Sequence, residues 1–204
     1  MLVDAASLRQ VCHWVFDLDG TLTRAVHDFE AIRSALGVPR GAPILEHIAT
    51  LPPERAELLS ARLEQIERAL CHETEAAEGA LELLATLQAR GARLGVLTRN
   101  AHALALLTLE HVGLLRYFDP VDVIGREQAR PKPHADGFER IAARWGVAPT
   151  RCAMVGDFRF DLEVGRAVGA LTVHVDPTGA FAWPALTDLA VRSLGELLPG
   201  LRAG

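Results

Sequence analysis

Four aspartates lie in two short acidic segments, each directly after an apolar run of the sequence. Asp17 and Asp19 belong to the segment DLDGT, and Asp157 and Asp161 belong to the segment GDFRFD. Gly20 predicts a sharp turn after the first apolar run, which would let one carboxylate and a neighbouring backbone carbonyl face a common ion. Because hard oxygen ligands of this kind suit Mg²⁺, the two segments are candidate metal ligands.

Apolar runs that alternate with helical patterns must position these aspartates. The apolar runs predict strands over residues 12–18, 92–98, 121–124, 152–155 and 171–175. Helical patterns fill residues 78–90, 100–112, 135–145 and 160–168. This alternation is typical of an α/β fold, a Rossmann-like parallel sheet with helices on both faces. Since the carboxyl ends of parallel strands share one edge, we expect the aspartates of DLDGT, Thr98 and Asp157 to converge on one crevice.

A purely helical stretch interrupts this alternation after the first predicted strand. Pro53 marks a helix start, because its missing N–H costs nothing in the first turn. Apolar residues then recur at helical spacing, as Ala56, Leu59, Leu63, Ile66 and Leu70. The charged residues between them, Glu67 included, are predicted to face solvent. We therefore predict a core domain over residues 1–23 and 75–204, interrupted by a small all-helical domain over residues 24–74.

The composition excludes several classes of protein. The 204 residues carry 26 Asp and Glu against 21 Lys and Arg, a formal net charge of −5. This acidic balance argues against a nucleic-acid binder, which usually carries a basic face. Three widely spaced cysteines without a CxxC pair predict buried, reduced thiols in a cytoplasmic protein. No signal peptide or membrane span is expected, because polar residues interrupt the apolar runs.

Four motifs occur in a fixed order at the predicted element boundaries. They are DLDGT at residues 17–21, Thr98 in VLTRN, Lys132 in RPKPHADGF, and GDFRFD at residues 156–161. Together they resemble the motifs of the haloacid dehalogenase-like hydrolases, in the subgroup similar to phosphoglycolate phosphatase. The resemblance covers nearly the whole chain, and the helical domain lies where these enzymes carry a cap.

The resemblance implies phosphoryl transfer through a covalent aspartyl-phosphate. Asp17 is expected to be the nucleophile. Asp19 is expected to be the general acid for the leaving alcohol and then the general base for the attacking water, which requires a raised pKa. Mg²⁺ is the implied cofactor, held by Asp17, the backbone carbonyl of Asp19 and Asp157.

The same resemblance implies binding roles for four further residues. Lys132 would supply a second positive charge to the phosphoryl group, and Thr98 would donate a hydroxyl proton to a phosphoryl oxygen. Asp161 would orient the metal ligands or Lys132. Arg99 stands where Asn or Ser is common, so it is expected either to contact a second anionic group of the substrate or to point to solvent.

The presence of Asp19 also favours one of the activities known in this family over the others. Dehalogenases of this fold lack this second aspartate and need no metal, so its presence favours hydrolysis of a small phosphorylated metabolite. A phosphomutase, a dehalogenase and a catalytically inactive binding or regulatory protein remain alternatives. The physiological substrate and the oligomeric state are left open. Polar residues near the start of the cap are candidates for setting specificity, namely Arg24, His27, Arg33 and His47.

Overall fold

A six-stranded parallel sheet forms the centre of the computed structural model, which describes residues 5–25 and 28–202. The strands lie in the order β3-β2-β1-β4-β5-β6, and every neighbouring pair is parallel. Their bounds are β1 His13–Phe16, β2 Arg93–Leu97, β3 Val123–Ile124, β4 Ala153–Gly156, β5 Leu171–Val175 and β6 Leu189–Val191.

Helices cover both faces of this sheet. Successive β1 side chains point to opposite faces, so Trp14 and Phe16 pack in one hydrophobic cluster and Val15 in another. Helices α5 and α6 pack in the first cluster, and α7 and α8 in the second. The predicted α/β architecture is therefore confirmed. The α-helices are α1 Ala5–Gln10, α2 Phe29–Leu36, α3 Ile44–Ala49, α4 Pro53–Cys71, α5 Ala80–Ala89, α6 His102–His111, α7 Asp136–Trp145, α8 Arg159–Val168 and α9 Leu198–Arg202.

The sixth strand was not predicted from the sequence. Strand β6 has only three residues, and only Val191 among them is buried. A strand of this length at the sheet edge gives no recognisable alternation of apolar and polar residues. Its position is instead decided by pairing with β5, where Val173 lies opposite Leu189.

Helices α2, α3 and α4, the cap helices, lie in the connection between β1 and β2 and form their own hydrophobic cluster. The predicted apolar stripe of α4 packs in this cluster, with Leu63 at its centre. Asp28 caps α2 by accepting hydrogen bonds from the N–H groups of Glu30 and Ala31, and α2 ends at Gly37 in the left-handed conformation. These helices fall inside residues 24–74, and the domain boundaries themselves stay a prediction.

The exposure of the cysteines and the composition of the helices can be compared with what the sequence composition predicts. Cys71 and Cys152 are buried free thiols, as predicted, but the prediction is wrong for Cys12, which is exposed. Cys12 directly precedes the first residue of β1 and so lies outside the buried part of that strand. Among residues 5–25 and 28–202, no helix combines the length and the apolar composition needed to cross a membrane.

Candidate active site

Three neighbouring strands end at the site and bring its first residues together. Asp17 follows β1, Thr98 follows β2 and Asp157 follows β4. Strand β1 pairs with β2 on one side and with β4 on the other, so these strand ends lie side by side. The backbone N–H of Asp17 donates to the carbonyl of Val155 at 2.8 Å, which fixes Asp17 against β4. The predicted convergence at one sheet edge is present in the fold.

The chain turns sharply after β1, as Gly20 predicts. The carbonyl of Leu18 accepts from the N–H groups of Leu22 and Thr23 at 2.9 and 3.0 Å. Gly20 has a φ of +86°, which favours glycine. A β-carbon built on Gly20 would lie 2.3 Å from Oδ2 of Asp157. Glycine is therefore needed both for the turn and for the close approach of the second acidic segment.

Lys132 is buried between two carboxylates. It reaches the site from the loop between β3 and α7, and its side chain is only 4% exposed. Its Nζ donates to Oδ1 of Asp17 and lies 2.6 Å from Oδ1 of Asp161. Burial alone would lower the pKa of Lys132, but the charges of Asp161 and Asp17 raise it above its ordinary value. Lys132 is therefore a fixed positive charge at the predicted nucleophile.

The carboxylates of Asp17, Asp157 and Asp161 form a compact acidic cluster. One oxygen from each lies within 4.8 Å of the others. Burial, followed by the charges of Asp17 and Asp161, raises the pKa of Asp157 to about 8. Burial likewise raises the pKa of Asp161 to about 6, although the charge of Lys132 opposes this rise. Crowded hard-oxygen donors of this kind, two of them buried and Asp157 partly buried, fit Mg²⁺, because a divalent cation relieves their mutual repulsion.

This side-chain cluster contains two of the predicted metal ligands, Asp17 and Asp157, and also Asp161. The carboxylate of Asp19 is hydrogen-bonded to Asn100, and the ligand predicted from Asp19 is its backbone carbonyl. Oδ2 of Asp161 accepts from the backbone N–H of Phe158 at 3.1 Å, at the start of α8. Asp161 therefore contacts Lys132 and the helix N-terminus while facing the other two carboxylates, which suits the predicted orienting role.

Asp19 lies in a distinct environment from Asp17. Nδ2 of Asn100 donates to Oδ2 of Asp19 at 2.7 Å. Burial, followed by the charge of Asp17, raises the pKa of Asp19 to about 7, against the opposing effects of Lys132 and Asn100. A carboxyl group with this pKa is partly protonated at neutral pH, so it can donate a proton and later accept one.

Thr98 and Arg99 follow β2 at the same edge. Thr98 is buried, and its Oγ1 accepts from the backbone N–H of Asn100 at 3.1 Å, which leaves the hydroxyl proton available for donation. Nη2 of Arg99 donates to both carboxylate oxygens of Glu46 in α3, at 2.6 and 2.8 Å. Its Nη1 donates to the backbone carbonyl of Lys132 at 3.1 Å. Arg99 is thus held by protein groups on two sides.

A cavity of about 500 Å³ lies between these residues and the cap helices. The acidic cluster and Lys132 line this cavity together with residues of the cap helices. Of the polar candidates in the cap, Arg33 lines the cavity, whereas Arg24 and His47 do not line it. His27 lies outside the described residues. The expected contribution of the cap to the site therefore rests on Arg33 and on apolar neighbours such as Phe29.

Comparison with known proteins agrees with this geometry. Residues 14–169 match the family model for haloacid dehalogenase-like hydrolases. The chain belongs to this family. The resemblance predicted from the four motifs is therefore confirmed.

Individual members of the family resemble the chain over different lengths. A haloacid dehalogenase-like hydrolase domain-containing protein of Arabidopsis thaliana is 31% identical over 82% of this chain and 71% of its own length. Phosphoglycolate phosphatase of Escherichia coli is 31% identical over 59% of this chain and 48% of its own length. A hydrolase from Pseudomonas syringae has a similar fold, with a TM-score of 0.77, 25% identity, and coverage of 93% of this chain and 97% of its own.

Sequence reasoning missed two residues of this hydrolase that the structure places at the site. Asn100 gave a signal, because the family commonly has Asn or Ser directly after the threonine and here Asn follows one place later. Glu67 gave none, and the prediction that it faces solvent is wrong. It is buried in the cavity wall, where Nη1 of Arg126 donates to both its carboxylate oxygens at 2.8 and 2.9 Å. The charged pattern of α4 does not distinguish Glu67 from Glu64, whose side chain is half-exposed.

Proposed function

We propose that this protein is a Mg²⁺-dependent phosphatase that hydrolyses a small phosphate monoester through an aspartyl-phosphate on Asp17. The observation that carries this proposal is the environment of two aspartates in one turn. Asp17 is in contact with the buried ammonium group of Lys132, whereas Asp19 is held by Asn100 and has a pKa of about 7. A nucleophile and an acid–base group need this contrast. The phosphatase named among the relatives supports the same reaction.

In the first half-reaction, an oxygen of Asp17 attacks phosphorus while the bond between phosphorus and the alcohol oxygen breaks. Lys132 contacts Asp17 and places a positive charge beside the incoming phosphoryl group. The hydroxyl group of Thr98 donates a hydrogen bond to a phosphoryl oxygen and keeps its proton. Asp19 transfers its proton to the departing alcohol oxygen and becomes a carboxylate.

In the second half-reaction, the Asp19 carboxylate accepts a proton from water as that water attacks the phosphorus of the aspartyl-phosphate. The bond between phosphorus and Asp17 breaks, inorganic phosphate leaves, and both aspartates return to their starting states. The hydrogen bond from Asn100 to Oδ2 holds the Asp19 carboxyl group in one orientation through both proton transfers.

The residues that would hold Mg²⁺ are Asp17, Asp157 and the backbone carbonyl of Asp19. Asp161 keeps Lys132 in position beside this set. When bound, Mg²⁺ supplies positive charge that offsets the repulsion between the carboxylates and the phosphate dianion.

The test is phosphate release from para-nitrophenyl phosphate and from a panel of phosphorylated metabolites, in Mg²⁺ and in EDTA. We expect metal-dependent turnover that Asp17→Asn abolishes. Asp19→Asn should slow turnover by about 10² to 10⁴-fold, as expected for the loss of an acid–base group. Since para-nitrophenolate leaves without a proton, the Asp19→Asn variant should accumulate an acid-quenched phosphoprotein.

The control is Asp119→Asn, an exposed aspartate outside the site. This variant should keep wild-type turnover and accumulate no phosphoprotein. Absence of phosphate release from every ester by folded wild-type protein in Mg²⁺ would refute the proposed reaction. Turnover that survives in Asp17→Asn would refute the assignment of the nucleophile.

A further inference from the structure

Apolar side chains form much of the cavity wall, which also includes the charged side chains of Arg33 and Glu67. Side chains from α2, α3 and α4 form this wall, among them Ile32, Ile44 and Leu63. Phe158 and Phe160 complete it from the core side, with their rings in edge-to-face contact at 5.1 Å. A charged group of a substrate in this region would lose water without gaining a polar wall, which is unfavourable unless a counter-charge is present.

Every cation that lines the cavity, within the described part of the chain, already has a carboxylate partner. Lys132 lies between Asp17 and Asp161. Arg33 is 2.8 Å from a carboxylate oxygen of Glu30, and its Nε donates to a backbone carbonyl. Arg99 is the remaining one, and its partner is Glu46.

Arg99 makes more contacts with its carboxylate partner than Arg33, the other arginine that lines the cavity, makes with Glu30. Its Nη2 reaches both oxygens of Glu46 and its Nη1 reaches the backbone carbonyl of Lys132. Its Cζ also lies 5.2 Å from the centre of the Phe160 ring, so one face of the guanidinium is covered. Glu46 comes from a cap helix and is half-exposed, so it satisfies Arg99 from outside the cavity.

We propose that Glu46 is a specificity residue that neutralises Arg99 and thereby directs the cavity toward phosphate esters whose alcohol portion carries no second negative charge. This inference rests on the proposed phosphatase activity and names its substrate class. Small phosphate esters with an uncharged, apolar alcohol portion fit the apolar wall, whereas a carboxylate on that portion meets no available cation. Breaking the ion pair between Arg99 and Glu46 would make the guanidinium group of Arg99 available as that cation.

The test compares two pairs of esters that differ in one carboxylate. One pair is phosphoglycolate and ethyl phosphate, and the other is 4-carboxyphenyl phosphate and phenyl phosphate. For each pair, kcat/KM for the carboxylated ester is divided by kcat/KM for the uncharged one. Differences in intrinsic reactivity between the esters cancel when this ratio is compared between wild type and a variant.

We expect Glu46→Gln and Glu46→Ala to raise this ratio about tenfold in at least one pair, the effect of one hydrogen bond to a charged group. A merely structural role of Glu46 in joining α3 to the core would lower both rates and leave the ratio unchanged. The double variant Glu46→Gln with Arg99→Gln should return the ratio to the wild-type value, because it lacks the released cation.

Glu64→Gln is the matched control, since it breaks an exposed ion pair with Arg68 on a cap helix away from the cavity. It should leave the ratio unchanged. An unchanged ratio in both Glu46 variants, while uncharged esters are still hydrolysed, would overturn this inference and leave the proposed phosphatase intact. No hydrolysis of any ester by wild type would instead overturn the phosphatase and the inference with it.

Discussion

Replacing Lys132 by methionine should destabilise the metal-free protein by about 3–5 kcal/mol, the usual loss when one partner of a buried ion pair is removed. The side chains of Lys132, Asp17 and Asp161 are 4%, 10% and 2% exposed, so water cannot take over the role of the ammonium group. Methionine keeps the apolar stem, so the expected loss comes from the charge rather than from packing.

The loss should depend on pH with a definite sign. Without Lys132, the raised pKa values of Asp157 and Asp161 lie further above the unfolded value of about 4. The native state then binds more protons than the unfolded state, so its stability falls as the pH rises through the folded pKa values. The destabilisation of Lys132→Met should therefore be smaller at pH 5 than at pH 8.

The assay is urea unfolding followed by far-UV circular dichroism, in EDTA at pH 7.5. Adding Asp161→Asn to Lys132→Met should recover part of the lost stability, because a neutral amide replaces a buried charge. Arg68→Met is the control, since its ion pair with Glu64 is exposed and contributes less than about 1 kcal/mol. A loss below about 1 kcal/mol for Lys132→Met would refute the reasoning.

Three further predictions concern the acidic cluster and its turn. At a hundredfold excess over Kd, Mg²⁺ should add about 2.7 kcal/mol to the free energy of unfolding of wild type and so raise its melting temperature. Asp157→Asn should remove most of this rise in a thermal melt. In EDTA, raising the pH from 5 to 8 should destabilise wild type more than Asp157→Asn. The pKa of Asp157 is raised in the native state, so the native state keeps a proton that the unfolded state has already lost. Equal slopes of the free energy of urea unfolding against pH would contradict this. Gly20→Ala should abolish the rise in melting temperature that Mg²⁺ causes. The control is Gly91→Ala, because Gly91 has a similar φ of +74° and open space around it. This control should keep the rise and lose only about 1–2 kcal/mol of stability to backbone strain.

Local sequence patterns determined the elements of this protein and the residue types at their ends. The apolar runs predict β1, β2, β4 and β5 to within two residues, because side chains of a fully covered strand are apolar on both faces. The Asp-Gly pair predicts the turn after β1, and Pro53 predicts the start of α4. Strand β6 gives no such signal, since its three residues depend on pairing with β5.

The resemblance selected the candidate residues, but tertiary contacts decide the environment of each one. Lys132 in its loop reads as a solvated lysine, yet it is buried against Asp17, which lies 115 residues away in the sequence. Glu67 and Glu64 occur in the same charged pattern, yet only Glu67 meets Arg126 and is buried. Neither difference follows from helix or strand periodicity.

Sequence motifs indicate the type of reaction, whereas tertiary contacts determine the properties on which substrate preference depends. Local spacing and the positions where parallel strands end were enough to predict the α/β core and the order of its motifs, and the resemblance carried by those motifs implied phosphoryl transfer. The raised pKa of Asp19, about 7, and the ion pair between Glu46 and Arg99 follow instead from the tertiary structure. Burial and the distances between charges set these properties, and both depend on contacts between residues far apart in the chain.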